Sequence, residues 1–172
     1  MAGKESFLEL LGGGQQGRNP AAPRPAPAVA PESDAAECPA FGYLRGLDSR
    51  ALAVEFRFRE GNSDWFSYSL LASWRYNPSV GLLLKFTSDV TTMVLIRGSN
   101  LDALVGDTAV NLTDRGFQRH RILWVREMDE RELRQSENIG PTIDRIEVAE
   151  VDTQDDQRKW LTKAAPPFLR ST

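Results

Sequence analysis

Acid–base or nucleophilic catalysis in this sequence would depend on one histidine, His120. Its neighbours Arg119 and Arg121 carry positive charge, which disfavours the imidazolium form and makes the ring a poor proton acceptor. The sequence has no Gly-x-Ser-x-Gly nucleophile elbow and no phosphate-binding loop ending in Gly-Lys-Ser/Thr. An enzyme would need a carboxylate folded beside His120 in a pocket. We predict no catalytic residues and a protein that is not an enzyme.

The sequence also contains few histidine or cysteine residues that could bind a metal ion. The chain has one histidine and one cysteine, Cys38, which lies in a Pro-rich stretch and is expected to be an exposed free thiol. It has no Asp-x-Asp-x-Asp calcium loop, and one His with one Cys cannot complete a tetrahedral zinc site. We therefore predict no metal and no cofactor.

The segment Arg115–Arg126 (RGFQRHRILWVR) is the most basic part of the sequence, with an interleaved phenylalanine and tryptophan. Arginine with aromatic residues suits phosphate contact and base stacking, so Arg119 and Arg121 are candidate nucleic-acid ligands. The alternative is a strand over Ile122–Val125 whose flanking arginines keep the edge soluble. We favour the strand, because an acidic run follows at Asp129 and the whole chain carries a net charge of −3.

Leu95–Leu101 (LIRGSNL) resembles the second signature of the Sm-like RNA-binding proteins, in which Ile-Arg-Gly precedes a small or polar residue. Tyr76–Asn77 matches that family's first signature, and Arg59–Gly61 is similar to the turn after its first strand. The resemblance implies a small β-barrel that forms a ring and contacts RNA through Asn77 and Arg97. Ser73 departs from the pattern, because the family has Asp there.

A protein-binding peptide is the third candidate. Lys4–Leu11 (KESFLELL) would place Phe7, Leu8 and Leu11 on one side of a short helix, and a glycine run follows it. A helix this short is marginal in water and would gain stability in a partner's groove. The alternative is an inert, frayed terminus or a strip that packs back on the domain. Pro20–Pro31 then reads as a semi-extended linker.

The central part of the chain predicts β-strands. Leu52, Val54, Phe56 and Phe58 alternate with polar or small residues, which is typical of a half-buried strand. Short turns separate three further predicted strands: Trp65–Tyr76 with a bend near Ser69–Ser73, Val80–Phe86 and Thr91–Arg97. Short connections favour an antiparallel meander. Trp65 falls on the face opposite Phe66 and Tyr68, so it is a candidate protein-binding residue.

After the meander the apolar spacing changes to that of a helix. Ser99 or Asn100 would cap it, and its apolar residues would run from Leu101 to Leu112. Further predictions are a strand over Arg119–Glu127, a short helix or solvated loop at 129–137, and a last strand over Thr142–Val148. The fold class is α+β and β-rich. The predicted domains are a flexible Pro/Gly/Ala-rich tail at 1–40, a globular domain at 41–150 and a polar tail at 151–172.

These patterns predict a non-catalytic interaction module. It binds an unidentified protein through the N-terminal peptide (Phe7, Leu8, Leu11) or through the sheet surface around Trp65. The Sm-like RNA-binding function is the first alternative, and an enzyme is the last. No apolar run approaches the roughly 18 residues that a spanning helix needs, and no secretory signal is recognisable at the start. We therefore expect a cytoplasmic protein with no membrane partner.

Overall fold

The computed structural model describes residues 34–136 and 138–169. The chain divides into a unit at 1–32 and a unit at 33–172, and all described residues belong to the second. The predicted docking residues Phe7, Leu8 and Leu11 lie outside the described residues.

The described residues form nine strands and two α-helices. In chain order they are β1 (Ala35–Glu37), β2 (Phe41–Leu44), β3 (Ala53–Arg57), β4 (Ser63–Ser67), β5 (Leu71–Asn77), β6 (Gly81–Thr87), β7 (Thr91–Ser99), β8 (Ile122–Arg126), α1 (Glu130–Ser136), β9 (Thr142–Val151) and α2 (Gln154–Ala164). Three single-turn 3-10 helices cover Tyr68–Leu70, Phe117–Arg119 and Pro166–Phe168.

The strands form two sheets. The first has five strands in the order β1-β2-β8-β3-β4, and the second has four in the order β5-β6-β7-β9. The second sheet is antiparallel throughout: β5, β6 and β7 form a meander, and β9 pairs with β7. In the first sheet β3 and β8 are parallel. The predicted class, a β-rich α+β fold with a meander followed by a helix and further strands, is confirmed.

The main core lies between the two sheets. Phe56 of the first sheet meets Phe86 of the second edge to face, with 6.2 Å between ring centroids. A second apolar cluster forms on the other face of the second sheet, where α2 covers Leu83 and Leu95. The second sheet is therefore buried on both faces, which explains the uninterrupted apolar run at Leu82–Leu84.

The predicted strand Trp65–Tyr76 is two strands in different sheets. A single 3-10 turn at Tyr68–Leu70 separates β4 from β5 and overlaps the region Ser69–Ser73, where the sequence predicts a bend. The Tyr68 hydroxyl anchors this corner by donating a buried hydrogen bond of 2.8 Å to the Ile122 carbonyl. Leu52 precedes β3 and is 87% exposed, so its predicted place on the core face is wrong.

The predicted helix from residue 100 to Leu112 is not formed, and this segment is a loop with turns and an isolated antiparallel bridge between Val105 and Val110. Asn100, Gly106 and Ala109 all have positive φ angles, of 56°, 66° and 48°, which a right-handed helix does not allow. Leu101 and Leu112 anchor the loop in the core. The helices lie later in the chain: α1 falls within 129–137, where the sequence predicts a short helix or loop, and α2 follows β9.

Parts of both predicted tails form strands or helices. β1 lies within the stretch 1–40, and α2 lies within the stretch 151–172 predicted to be a polar tail. The Thr153 hydroxyl oxygen caps α2 by accepting a 3.1 Å hydrogen bond from the Asp156 amide. Leu161 and Phe168 then pack against the second sheet. Neither described helix has the length and hydropathy that a membrane-spanning helix requires.

Candidate functional site

Two tryptophans share the outer face of the first sheet. Val54 and Phe56 point into the core, so Glu55 between them points outward. Glu55 is opposite Trp65 on β4 and opposite Trp124 on β8. We call Trp65, Trp124, Glu55 and Arg57 the tryptophan face.

Glu55, Arg57 and Trp124 contact one another at the centre of the tryptophan face. Arg57 Nε donates a 2.8 Å hydrogen bond to the Glu55 carboxylate. The Arg57 guanidinium also lies 4.5 Å from the centre of the Trp124 ring, a cation–π distance. Gly42 leaves room for that ring, because a Cβ there would lie 2.2 Å from the indole nitrogen. Trp65 stands beside this fixed group and is 65% exposed.

The strand that carries Trp65 is an edge strand, paired only with β3. At the end of this hairpin, the Phe58 amide donates to the Asn62 carbonyl, and at the other end the Tyr68 amide donates to the Leu52 carbonyl. Antiparallel strands alternate between bonded and non-bonded pairs, so the main-chain groups of Ser63, Trp65 and Ser67 point away from β3. The exposed indole and the open main-chain edge therefore coincide at Trp65.

The Sm-like pair, Asn77 and Arg97, has structural contacts in this fold. The Asn77 side-chain oxygen accepts a 2.9 Å hydrogen bond from the Ser79 amide in the turn after β5. Arg97 pairs with Glu147 at 2.7 Å and donates to the Ala164 carbonyl at the end of α2. The Arg97 guanidinium thus holds α2 on the second sheet.

The other two candidate nucleic-acid ligands, Arg119 and Arg121, do not share a surface. Arg119 is exposed, whereas Arg121 is only 1% exposed. The Arg121 guanidinium donates to the carbonyls of Leu44 and Arg45, at 2.9 and 2.5 Å. The guanidinium N–H groups of Arg121 therefore bond to the main chain at the end of β2.

His120 stacks on Tyr68, with ring centroids 4.5 Å apart. Burial, and secondarily the charge of Arg50, lower the pKa of His120 below its ordinary value. The sequence also predicts that the imidazolium form of His120 is disfavoured, but it gives the charges of the adjacent Arg119 and Arg121 as the cause. Cys38 is half-buried, where the sequence predicts an exposed thiol, and burial raises the pKa of that thiol. Within residues 34–136 and 138–169, no three His, Cys, Asp or Glu residues are grouped to hold a metal ion.

Sequence reasoning singled out Trp65 but missed its partners Glu55, Arg57 and Trp124. The pairing of β3 with β8 brings them together across a long sequence separation, and no local pattern encodes that pairing. The comparisons with protein-family models, curated proteins and solved structures find no match. The function is therefore inferred from the chemistry of this chain itself.

Proposed function

We propose that this protein is a non-catalytic interaction module that binds an extended segment of a partner protein along the open edge of β4. The observation that carries the proposal is Trp65, a large aromatic side chain exposed on an edge strand. Strand addition supplies main-chain hydrogen bonds, and the indole supplies a large apolar contact beside them. Edge strands are commonly protected by charged side chains, especially Lys, or by Pro. Ser63–Ser67 contains neither Lys nor Pro, and its one charged residue is Asp64.

The paired side chains beside Trp65 favour binding at this part of the surface. Glu55, only 12% exposed at its side chain, is paired with Arg57, so the surface beside Trp65 is ordered before a partner arrives. A preorganised surface loses less side-chain entropy on association. Trp and Arg are also the residue types most enriched at binding hot spots.

Selection from a phage-displayed library of random peptides tests this proposal. Peptides enriched on the protein should bind less tightly by about tenfold or more after Trp65→Ala, as expected for a hot-spot tryptophan. Ser63→Pro should also abolish binding, because it removes an outward-pointing amide without breaking a bond to β3. The matched control is Leu104→Ala, an exposed apolar residue in the 101–116 loop. Peptides that bind all three variants equally would refute the proposal.

RNA binding on the tryptophan face is the second candidate function. Stacking of Arg57 on Trp124 shows an aromatic–guanidinium pair of the kind that contacts bases. The protein partner is favoured, because Arg57 and the nearby Arg126 are already paired with Glu55 and Glu132. Retention of labelled oligouridine at low salt, lost on Trp65→Ala, would instead support RNA.

The N-terminal peptide is a second proposed contact with the protein partner. Phe7, Leu8 and Leu11 would dock in a groove of the partner while β4 binds its extended segment. Two linked contacts raise the overall affinity through effective concentration. Affinity for the full-length partner should fall when residues 1–32 are removed, and unchanged affinity would exclude this contact. A cytoplasmic location is part of the same proposal.

A further inference from the structure

A groove separates α2 from the exposed rim of the second sheet. Its volume is about 580 Å³. Its polar lining is formed by Arg75, Lys85, Gln154, Gln157 and Arg158. We call it the cationic groove.

The cationic groove concentrates positive charge without a carboxylate. Arg75, Lys85 and Arg158 line it, and no Asp or Glu is among the described lining residues. The chain as a whole has 24 acidic residues against 21 basic ones, so composition does not explain this local excess. None of the three cations forms an ion pair with a described residue, in contrast to Arg97, which pairs with Glu147.

Neutral partners hold two of these cations in place. Arg75 Nη1 donates a 2.6 Å hydrogen bond to the Phe168 carbonyl. Lys85 Nζ donates to the Gln157 side-chain oxygen at 3.2 Å. Both side chains are half-buried. Their charges are thus positioned but not neutralised, which leaves them able to attract an anion.

The three cations come from three different elements. Arg75 lies on β5 and Lys85 on β6, where the register places Lys85 opposite Ser73, two residues from Arg75. Side chains at this diagonal lie on the same face of the sheet. Arg158 is on α2, at the other side of the groove. A smaller cavity of about 90 Å³ shares Arg75, Lys85 and Gln157 and extends to Met93.

The groove also has an apolar side, formed by Leu161 and Phe168 among others. Its volume is in the range typical of small-molecule sites. Guanidinium and ammonium groups suit the geometry and charge of phosphate. An occupant that matches both parts has a phosphate group attached to an apolar group.

We propose that the cationic groove binds a small organic phosphate, with Arg75, Lys85 and Arg158 contacting the phosphate and Leu161 and Phe168 contacting its apolar group. This site lies on the second sheet and is independent of the partner-binding edge on β4. Phosphate binding in the groove and partner binding along β4 can therefore be tested separately, and either proposal can be wrong while the other is correct.

Isothermal titration of the full-length protein with phenyl phosphate tests the proposal. Lys85→Gln and Arg158→Gln should each weaken binding by about tenfold or more, the usual effect of losing a hydrogen bond to a charged group. Lys159→Gln is the matched control: it is the next residue of α2, it removes the same charge, and it pairs with Asp156 at 3.6 Å outside the groove. We expect its affinity to stay within about twofold of the unaltered protein.

Two companion ligands define the chemical class. Inorganic phosphate should bind more weakly than phenyl phosphate because it lacks the apolar contact, and benzoate should bind more weakly because it lacks the phosphate charge. Thermal unfolding of each variant without ligand checks that the fold is intact. No detectable binding of phenyl phosphate, an equal loss for Lys159→Gln, or benzoate binding as tight as phenyl phosphate would overturn the proposal.

Discussion

At the scale of single residues, Arg121 stabilises the fold from the inside. Its guanidinium donates to two main-chain carbonyls at the end of β2, and its main-chain carbonyl accepts from the Leu44 amide. Burial lowers the pKa of Arg121, and the charge of Arg119 acts in the same direction. A buried charge is tolerated here because its donors have acceptors.

Replacing Arg121 by Met should therefore destabilise the protein by about 3 kcal/mol, since two main-chain carbonyls at the end of β2 would lose the hydrogen bonds from this buried side chain. Urea unfolding followed by circular dichroism measures this change. Arg119→Met is the control, because Arg119 is exposed, and its effect should stay within about 0.5 kcal/mol. Equal effects of the two substitutions would show that Arg121 is not a structural residue.

His120 should make stability depend on pH. Burial lowers its pKa in the folded state, so the unfolded chain binds the proton at a higher pH than the folded protein does. The free energy of unfolding should then decrease as the pH falls below the ordinary value of 6.5, until the folded-state pKa is passed.

The matched variant is His120→Asn, because Asn tolerates the left-handed φ of 53° found at this position. Urea unfolding at a series of pH values should show a smaller decrease for the variant between neutral pH and about pH 5, above the range in which carboxylates titrate. Identical pH profiles for the two proteins would contradict the assignment to His120.

At the scale of elements, Arg97 connects the second sheet with α2. Arg97→Gln should loosen the helix, because its end would lose the hydrogen bond to the Ala164 carbonyl. We expect amide hydrogen exchange within Gln154–Ala164 to become faster by about tenfold, the equivalent of one hydrogen bond. Arg145→Gln is the control, since Arg145 also faces Glu147, at 3.6 Å, but is largely exposed. Equal exchange rates in both variants would contradict this role.

Most strands and the antiparallel pairing of chain neighbours such as β6 and β7 could be predicted from the sequence, whereas the long-range pairings of β3 with β8 and of β7 with β9 could not. Alternation identified β3 and the run of apolar and β-branched residues identified β7, because both patterns are local. The apolar residues after residue 100 have helical spacing and predicted a helix, which is wrong because the buried Leu101 and Leu112 anchor a loop. The sequence did contain a signal for α2. Leu83 and Leu95 place apolar side chains on the outer face of the second sheet, which indicates that another element packs on that face.

At the scale of the whole molecule, the described part of the chain has three layers: the first sheet, the second sheet and α2. The tryptophan face belongs to the first layer and the cationic groove to the contact between the second and third. Trp65 could be identified from the sequence as a candidate binding residue, because its position in the strand places it on the face opposite Phe66 and Tyr68. Arg75, Lys85 and Arg158 could not, because the packing of α2 on the sheet brings them together.

Removal of residues 1–32 should leave the fold intact. Residues 33–172 form a compact unit of their own, and the described residues of this unit contain two apolar clusters. We therefore expect the free energy of unfolding of the 33–172 protein to stay within about 0.5 kcal/mol of the full chain, measured by urea unfolding. A loss of several kcal/mol would show that the first unit contributes to the core.

The most direct test of the central claim is amide hydrogen exchange of the full chain with and without a peptide selected on it. Strand addition at β4 predicts that the amides of Ser63, Trp65 and Ser67, which point away from β3, become protected when the peptide binds. Unchanged exchange at these amides with a saturating peptide, or protection confined to another strand, would contradict the proposed binding edge.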